Sequence, residues 1–386
     1  MNEFELINST EYFDQIRNYK NIILFGCGGK GRQAIKILND LGVRVSVACD
    51  NNSELHGKLF VNNILIKSLD EILKDIEIND TCIIITCSID YAVEINNMLM
   101  EKCPNISIYH MCNPFKIEQI LLSSQDIISN WDLLARQYDW LGDEESKNIF
   151  IDTLNSKITG NMLPLLKYTL GKDIYTFFDD EFITVDENSV YMDVGAYTGD
   201  TVASFLMFSR GIYKQIVAFE ADKGNYASLQ KFKQFSRVPN IDIYNIGLWN
   251  NEEDKLFYTN DKNDEINYDS PNLFQNVNMM ADNLSLNRIN GNLIDEVIHL
   301  KTLDGIAQDM SPNIIKVNAL AADRQIIMGG KKYIAEKKPT LIFEFGVKKK
   351  DVFELLIDIK KINPDYTFFI RRKKIFGDIK TVVYCT

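Results

Sequence analysis

The sequence has few of the residues on which metal and disulfide chemistry depend. Its 386 residues include three histidines and seven cysteines. His56, His110 and His299 are scattered, and none has a cysteine or histidine partner at the spacing of a metal site. The cysteines are odd in number and contain no C-x-x-C pair, which favours buried free thiols over a disulfide framework. We therefore expect neither a metal site nor a Ser-His-Asp catalytic triad.

Long apolar runs and an excess of positive charge are also missing. No stretch approaches the roughly 18 apolar residues of a membrane helix, and the acidic N-terminal residues Met1–Glu5 do not resemble a signal peptide. The formal net charge of −12 argues against broad binding to nucleic acid or anionic membranes. With 46% hydrophobic and 25% charged residues, the composition is that of a soluble globular protein, which we expect in the cytoplasm.

The order of apolar segments predicts an α/β protein with two Rossmann-like domains joined by a helical connector. Residues 1–112 alternate strands with helical spacing, which is typical of a parallel sheet covered by helices. Residues 113–187 are helical and aromatic-rich, and residues 188–386 form the second domain. The strands predicted there are Val190–Val194, Gln215–Glu220, Ile241–Asn245, Asn313–Val317, Thr340–Phe345, Tyr366–Arg371 and Thr381–Cys385. The polar stretch Asn250–Asn292 predicts a lid or a poorly ordered segment.

A glycine turn in the second domain follows the strand at Val190 and precedes a helix, and the next strand ends in Glu220. This layout suits a nucleoside cofactor, since glycines let the backbone approach the ligand and a carboxylate can accept both ribose hydroxyls. Acidic Asp193 would repel a pyrophosphate, which favours a cationic nucleoside such as S-adenosylmethionine. The candidate cofactor residues are Asp193, Gly195, Ala196, Tyr197, Gly199, Thr201, Glu220, Ala221 and Asn245.

Some roles at this turn remain open between two interpretations. Gly195 and Gly199 are expected to make room for the ligand. Asp222 either contacts the ligand or caps the helix that starts near Asn225. Asn245, at the end of the third strand, either frames the adenine or forms a simple turn.

The first domain carries a second glycine turn, Gly26-Cys27-Gly28-Gly29-Lys30-Gly31, which fits G-x-G-x-x-G between a strand and a helix. Asp50 follows about 20 residues later. The candidate residues are Gly26, Gly28, Gly31 and Asp50. One interpretation is a nucleotide, NAD or nucleotide-sugar site, and the other is a Rossmann-like structural domain without a ligand.

Beyond these turns, the order of several motifs resembles the FkbM family of S-adenosylmethionine-dependent methyltransferases. The resemblance covers roughly residues 140–386. Its motifs are Leu141–Ser146, Phe178–Thr201, Phe219–Asp222 with Asn225-Tyr226, Thr302-Leu303-Asp304, Ile315-Lys316-Val317 and Gly329. It implies a seven-stranded class I methyltransferase fold and O-methylation of sugars of surface glycans or of natural products.

One segment departs from the family pattern, which reads approximately I-K-hydrophobic-D-hydrophobic-E-G-A-E. This chain has Asn318 and Leu320 at the two carboxylates that precede the glycine, and Ala321 at the glycine. Since these positions follow the fourth strand beside the transferred methyl, catalysis needs another base. The candidate catalytic residues are Lys316, Asn318, Asp323 and Glu344.

We therefore expect an O-methyltransferase acting on a carbohydrate or nucleotide-sugar hydroxyl, with neither nucleic acid nor a membrane span involved and with a homo-oligomer as one assembly state. One alternative is a noncatalytic methyltransferase-like scaffold or regulator of glycan biosynthesis. Another is a nucleotide-sugar oxidoreductase activity in the first domain. The basic clusters Lys348–Lys350 and Arg371–Lys374 form either solvated faces or a site for a phosphate-bearing acceptor.

Overall fold

The computed structural model describes residues 4–111, 121–169, 177–260, 293–319, 322–375 and 378–386. The chain divides into two compact units. The first unit contains Met1–Leu134 and Asn148–Leu170, and the second contains Ala135–Lys147 and Gly171–Thr386. The boundaries differ from those expected at 112 and 187, because the helical stretch is shared between the two units.

The first unit is built around a parallel sheet. Its strands are β1 (Asn21–Phe25), β2 (Val47–Cys49), β3 (Ile66–Lys67), β4 (Thr81–Ile85) and β5 (Ser107–His110). Its helices are α1 (Ser9–Arg17), α2 (Gly29–Asp40), α3 (Leu69–Asp75) and α4 (Ile89–Lys102). The described strands pair in parallel in the order β3-β2-β1-β4-β5. Strand β1 is apolar on both faces because Ile22 and Leu24 pack into one cluster while Ile23 and Phe25 pack into another. The short β3 was not predicted from the sequence.

Two helices contribute residues to both units. They are α5 (Ser124–Asp139) and α6 (Glu144–Thr159). The turn between them belongs to the second unit, where Gly142 N donates to Phe368 O at 2.9 Å. A Cβ on Gly142 would lie 2.4 Å from the Phe369 ring, so glycine is required for this contact. The motif Leu141–Ser146 thus serves packing in the second unit.

The second unit contains a seven-stranded mixed sheet. Its strands are β6 (Val190–Val194), β7 (Gln215–Phe219), β8 (Ile241–Tyr244), β12 (Ile314–Val317), β13 (Thr340–Glu344), β14 (Phe368–Ile375) and β15 (Asp378–Cys385). Their order is β14-β15-β13-β12-β6-β7-β8, and β15 runs antiparallel to both neighbours. The chain builds from β6 towards β8 and then returns to the other side of β6 with β12, so the sheet reverses between β6 and β12. The predicted strands match within a few residues at each end.

The second unit also contains six helices in its described residues and a separate three-stranded sheet. The helices are α7 (Asp200–Ser209), α8 (Lys223–Ser236), α9 (Leu303–Met310), α10 (Asp323–Met328), α11 (Lys331–Lys337) and α12 (Lys349–Ile362). The small sheet has the order β10-β11-β9, with β9 (Gly247–Trp249), β10 (Glu253–Asn260) and β11 (Leu293–Thr302). The expectation of a lid or poorly ordered segment from Asn250 was therefore wrong for Glu253–Asn260, which pairs antiparallel with β11. Residues 261–292 lie outside the described residues.

The basic run at Arg371 lies on β14 and is buried, contrary to both interpretations of it. Arg371 is 5% exposed, and its Nη2 lies 2.7 Å from Asp143 Oδ2 and 3.1 Å from Glu181 Oε2. Lys373 is 1% exposed and pairs with Asp179. These cations are neutralised by the protein itself and do not form a phosphate site. Lys374 has no described side chain.

The described cysteines have free thiols, as the sequence predicted. All are buried except Cys87, which is partly exposed, and Cys112 lies outside the described residues. Among the helices of the described ranges, none combines the length and apolar character that crossing a bilayer requires.

Candidate functional site

The glycine turn at residues 195–199 links the carboxyl end of β6 to α7. Gly195 has φ +78° and Gly199 has φ +96°, values that glycine adopts without strain. A Cβ on Gly195 would lie 2.3 Å from Asn318 O, and one on Gly199 would lie 2.7 Å from the Phe232 ring. A side chain at Gly195 would collide with the end of β12, and one at Gly199 would collide with helix α8. Packing within the protein therefore requires both glycines, and their expected role in making room for a ligand stays a prediction.

Asp193, two residues before the turn, forms a buried ion pair with Lys316 on β12. Lys316 Nζ lies 2.9 Å from Asp193 Oδ1, and the side chains are 1% and 0% exposed. Lys316 Nζ also donates to Gly195 O at 2.9 Å, while the Thr201 hydroxyl donates to Asp193 Oδ2. Because Asp193 is enclosed and neutralised, the argument that it repels a pyrophosphate was wrong. Lys316, expected as a catalytic residue, instead holds the turn against β12.

Glu220 follows β7 and reaches the same turn. Its Oε2 accepts the Tyr197 N–H at 2.8 Å, and its Oε1 accepts the Asp222 N–H at 2.9 Å. Burial raises the pKa of Glu220 above its ordinary value, while these two backbone hydrogen bonds oppose the shift. Each carboxylate oxygen retains a free lone pair, so Glu220 can still accept hydrogen bonds from two hydroxyls.

Tyr197 combines a left-handed backbone with an exposed ring. Its φ is +50° and its side chain is 54% exposed, whereas the preceding Ala196 is fully buried. This conformation is uncommon for a bulky residue and costs about 1 kcal/mol or more. The hydrogen bond from its N–H to Glu220 helps to hold it. An aromatic ring therefore stands open beside the turn.

Two residues near Glu220 have structural partners. Asn245 Nδ2 donates to Glu220 O at 2.9 Å and to Ala221 O at 3.1 Å, which favours the turn interpretation of Asn245 over contact with adenine. Asp222 Oδ1 accepts the Asn225 N–H at 2.7 Å, so Asp222 caps α8, as one interpretation predicted. Both interactions fix the backbone around Glu220.

The carboxyl end of β12 brings Asn318 and Asp323 next to the glycine turn. Asn318 N donates to Val194 O at 3.0 Å. Asp323, at the start of α10, accepts the Ala319 N–H at 2.8 Å and is 2% exposed. Burial raises the pKa of Asp323 to about 7, and the negative charge of Glu344 adds to this shift. Leu320 and Ala321 lie outside the described residues.

Glu344, the other candidate base, ends β13 and is paired with a cation. Its Oε2 lies 2.8 Å from Lys380 Nζ on β15. The ammonium groups of Lys316 and Lys380 lie 5.6 and 6.0 Å from the centre of the Phe177 ring. Glu344 is therefore paired with Lys380. Burial instead brings the pKa of the Asp323 carboxyl to about 7, which suits a base that works at neutral pH.

The glycine turn of the first unit has the corresponding place between β1 and α2. A Cβ on Gly31 would lie 1.9 Å from Gly26 O, and Gly26 itself has φ +113°, so both positions require glycine. Gly28 faces open space. Asp50 Oδ2 accepts the Cys27 N–H at 2.7 Å, which ties the end of β2 to the turn.

Two carboxylates of the second unit, one partly buried and one buried, were not singled out from the sequence. Asp200 is the first residue of α7, and burial raises its pKa. Asp351, in the first turn of α12, is 5% exposed, and burial raises its pKa to about 6. An acidic residue in the first turn of a helix is an ordinary helix signal. Only their burial, which the fold creates, distinguishes these two.

Motif residues farther from the turn stabilise the unit. Asp304 accepts the N–H groups of Lys332 and Tyr333 at 3.2 and 2.8 Å, which caps α11 from a distance. A Cβ on Gly329 would lie 2.1 Å from Trp249 O. These positions therefore carry packing constraints, without chemistry of their own.

Comparison with known proteins identifies the fold. No protein-family model and no curated protein matches the sequence. The crystal structure of methyltransferase FkbM from Methylobacillus flagellatus matches with 17% identity and a TM-score of 0.68, over 99% of this chain and 94% of that one. The chain has the FkbM methyltransferase fold. The resemblance to the FkbM family that the motifs indicated is thus confirmed at the level of the fold, and the structural match includes the first unit.

Two further structures match more weakly, over about half of this chain. An rRNA methylase from Streptococcus thermophilus matches at 11% identity and a TM-score of 0.28, over 52% of this chain and 87% of its own. Precorrin-6y C5,15-methyltransferase from Geobacter metallireducens matches at 12% identity and a TM-score of 0.29, over 54% of this chain and 95% of its own. Within the described residues, no three His, Cys, Asp or Glu side chains are grouped as a metal site requires.

Proposed function

We propose that this protein is an S-adenosylmethionine-dependent O-methyltransferase acting on a sugar hydroxyl of a glycan or of a nucleotide-linked sugar. The observation that carries the proposal is the pairing of the glycine turn with Glu220 at the point where the strand order reverses. Ligands of open α/β sheets bind at this point. The fold shared with methyltransferase FkbM supports the reaction class, and the sugar acceptor rests on the family resemblance.

The residues around the turn suit a nucleoside cofactor that carries positive charge. Glu220 would accept hydrogen bonds from the ribose hydroxyls, and the backbone of Ala196 and Tyr197 would line the same ligand. Asp200 adds a partly buried carboxylate at the start of α7. When bound, S-adenosylmethionine would supply a methyl group activated by its sulfonium sulfur.

The chain's own contribution to the reaction is to position the acceptor and to remove its proton. A sugar hydroxyl that accepted this methyl group would have to lose its proton. We assign the released proton to Asp323, whose pKa of about 7 lets it accept a proton at neutral pH. Lys316 and Asp193 have a positioning role, because they hold the glycine turn against β12.

Calorimetry with S-adenosylmethionine and S-adenosylhomocysteine tests the cofactor site. We expect binding by the native protein and a loss of at least about tenfold in affinity for Glu220→Ala, since charge-assisted hydrogen bonds are removed. Glu187→Ala, which alters an exposed carboxylate outside the site, serves as the matched control and should bind normally. Absence of binding by the native protein, or equal binding by both variants, would overturn the assignment.

The second candidate function is a noncatalytic methyltransferase-like scaffold or regulator of glycan assembly. It is favoured by Asn318, which stands where the family pattern has a carboxylate, and by Lys316, which is occupied by Asp193. Incubation with methyl-labelled S-adenosylmethionine and pooled cell-envelope precursors separates the two functions. A labelled glycan product rules out the scaffold, whereas cofactor binding without any product supports it.

A further inference from the structure

A second cleft lies in the first unit, beyond the carboxyl ends of β1 and β4. The strand order reverses between these strands, because β2 and β3 lie on one side of them and β5 lies on the other. Such a reversal leaves a crevice in which ligands of α/β sheets bind. The crevice here has a volume of about 410 Å³, which is within the range of small-molecule sites.

Residues from the strand ends and from one helix line this cleft. The strand ends contribute Asp50 and Cys87, and one face of α4 contributes Tyr91, Glu94 and Met98. The α4 residues follow one another at helical spacing, so they form a continuous surface along one side. Tyr91 is 63% exposed although it borders a cavity. An aromatic ring that remains open at a cleft offers a stacking surface for a flat ligand.

The lining side chains that carry charge are acidic. Asp50 and Glu94 are carboxylates, and burial raises the pKa of the Cys87 thiol to about 11, so this thiol is uncharged at neutral pH. No lysine or arginine lines the cleft among the described residues. The lining side chains therefore favour hydroxyl and N–H donors, while the positive charge of Lys30 acts on the Cys87 thiol.

Asp50 is held in one orientation by its neighbours. Its Oδ2 accepts the Cys27 N–H at 2.7 Å, and its Oδ1 accepts the Asn52 N–H at 2.9 Å. The His56 Nε2 lies 2.8 Å from the Asp50 carbonyl oxygen. Each carboxylate oxygen retains a lone pair for a ligand. Two adjacent acceptors on a fixed carboxylate match the two hydroxyls of a ribose.

We propose that this cleft binds a nucleoside, with its ribose hydroxyls on Asp50 and its base against Tyr91 and Met98. The nucleoside is either free or the nucleoside part of a nucleotide-linked sugar, whose phosphates would lie outside the acidic lining. This site is separate from the proposed methyl-donor site. Nucleoside binding here does not depend on whether the second unit transfers a methyl group.

Equilibrium binding to the full-length protein tests the proposal. The probes are adenosine, guanosine, cytidine and uridine, together with the corresponding nucleoside diphosphate glucoses. We expect at least one nucleoside to bind with a Kd below ~1 mM. The diphosphate glucose of the same base shows whether the source is free or sugar-linked: tighter binding of that probe identifies the nucleotide sugar. Absence of binding by every probe would overturn the proposal.

Variants locate the binding and distinguish this site from the cofactor site. Asp50→Asn and Tyr91→Ala should each weaken nucleoside binding about tenfold, and Tyr91→Ala, which truncates an exposed ring, should leave folding intact. Glu54→Gln, an exposed carboxylate nearby, should bind as the native protein does. Binding that is lost with Glu220→Ala and kept with Asp50→Asn and Tyr91→Ala would place the nucleoside in the second unit and refute the inference.

Discussion

Lys316 and Asp193 stand opposite each other on neighbouring strands and form an ion pair enclosed by the protein. They are register partners of β12 and β6, and their charged atoms lie 2.9 Å apart. Lys316 also donates to Gly195 O, so a single ammonium group holds the glycine turn against the adjacent strand. Because burying two charges is costly, such a pair contributes more to the geometry of the turn than to net stability.

Replacing Lys316 with methionine should therefore destabilise the second unit by about 3–5 kcal/mol, because Asp193 would remain buried without its cation. The double variant Lys316→Met, Asp193→Asn should recover much of this loss, since the uncompensated charge is gone. Urea unfolding followed by circular dichroism measures both. A single variant within about 0.5 kcal/mol of the native protein would show that the pair is open to water.

Substitution of Gly195 by alanine should be far more damaging than the same change at Gly211. Both glycines have nearly the same backbone conformation, with φ of +78° and +77°. A Cβ on Gly211 meets nothing within 4 Å, whereas one on Gly195 would lie 2.3 Å from Asn318 O. We expect Gly211→Ala to cost about 1 kcal/mol from backbone strain alone.

For Gly195→Ala we expect both lower stability and loss of S-adenosylmethionine binding, as judged by thermal unfolding and calorimetry. Equal behaviour of the two variants would mean that the turn can move away from β12 without consequence.

The Asp323 carboxyl should make stability depend on pH. Burial raises its pKa from 3.8 to about 7, so the folded protein binds this proton more tightly than the unfolded chain does. The stabilisation is complete below about pH 4 and is lost as the pH rises through about 7. Asp323→Asn, which resembles the neutral form, should be more stable than the native protein at pH 8 and similar to it at pH 4.

Urea unfolding midpoints of Asp323→Asn and of the native protein, measured from the lower of these pH values to the higher, check this prediction. Asp309→Asn, an exposed position, is the control and should follow the native profile. If Asp323→Asn gives the same difference from the native protein at both ends of the range, Asp323 does not titrate there.

Arg371 should be important for stability despite lying in a run of basic residues. It is 5% exposed and contacts Asp143 and Glu181. Arg371→Met should cost about 3 kcal/mol, since it leaves the partly buried Asp143 carboxylate without its cation. Lys350→Ala, which removes an exposed side chain 3.8 Å from Glu354, should change stability by less than about 0.5 kcal/mol. Thermal unfolding compares them, and equal shifts would contradict the buried role of Arg371.

Most of the main sheet could be predicted because its strands are short apolar runs. Val190–Val194 is buried at every position, and this pattern is visible without a partner strand. The cap at Asp222 was one of two interpretations open from the sequence, since its acceptor is bonded to an N–H only three residues away. The small sheet was not predicted, because Gly247 on β9 pairs with Leu300 on β11, and β10 carries charged residues that resemble a loop.

The sequence indicated which candidate residues lie together, and it did not indicate how they contact one another. Gly195, Asp193, Glu220, Lys316 and Asp323 all lie around one end of the sheet. Their identities, however, do not reveal which charge neutralises which. Lys316 was predicted to be catalytic because its neighbours resembled a catalytic segment, whereas its partner is 123 positions away in the sequence.

By itself, then, the sequence determined the strands of the main sheet and the turns that require glycine, because backbone preference and the pattern of buried residues act over a few neighbouring positions. Only the tertiary structure decided that Asp193 is neutralised, that Arg371 is buried and that burial raises the pKa of Asp323. Burial and charge pairing depend on distances in space, and these distances are set when strands far apart in the chain come together.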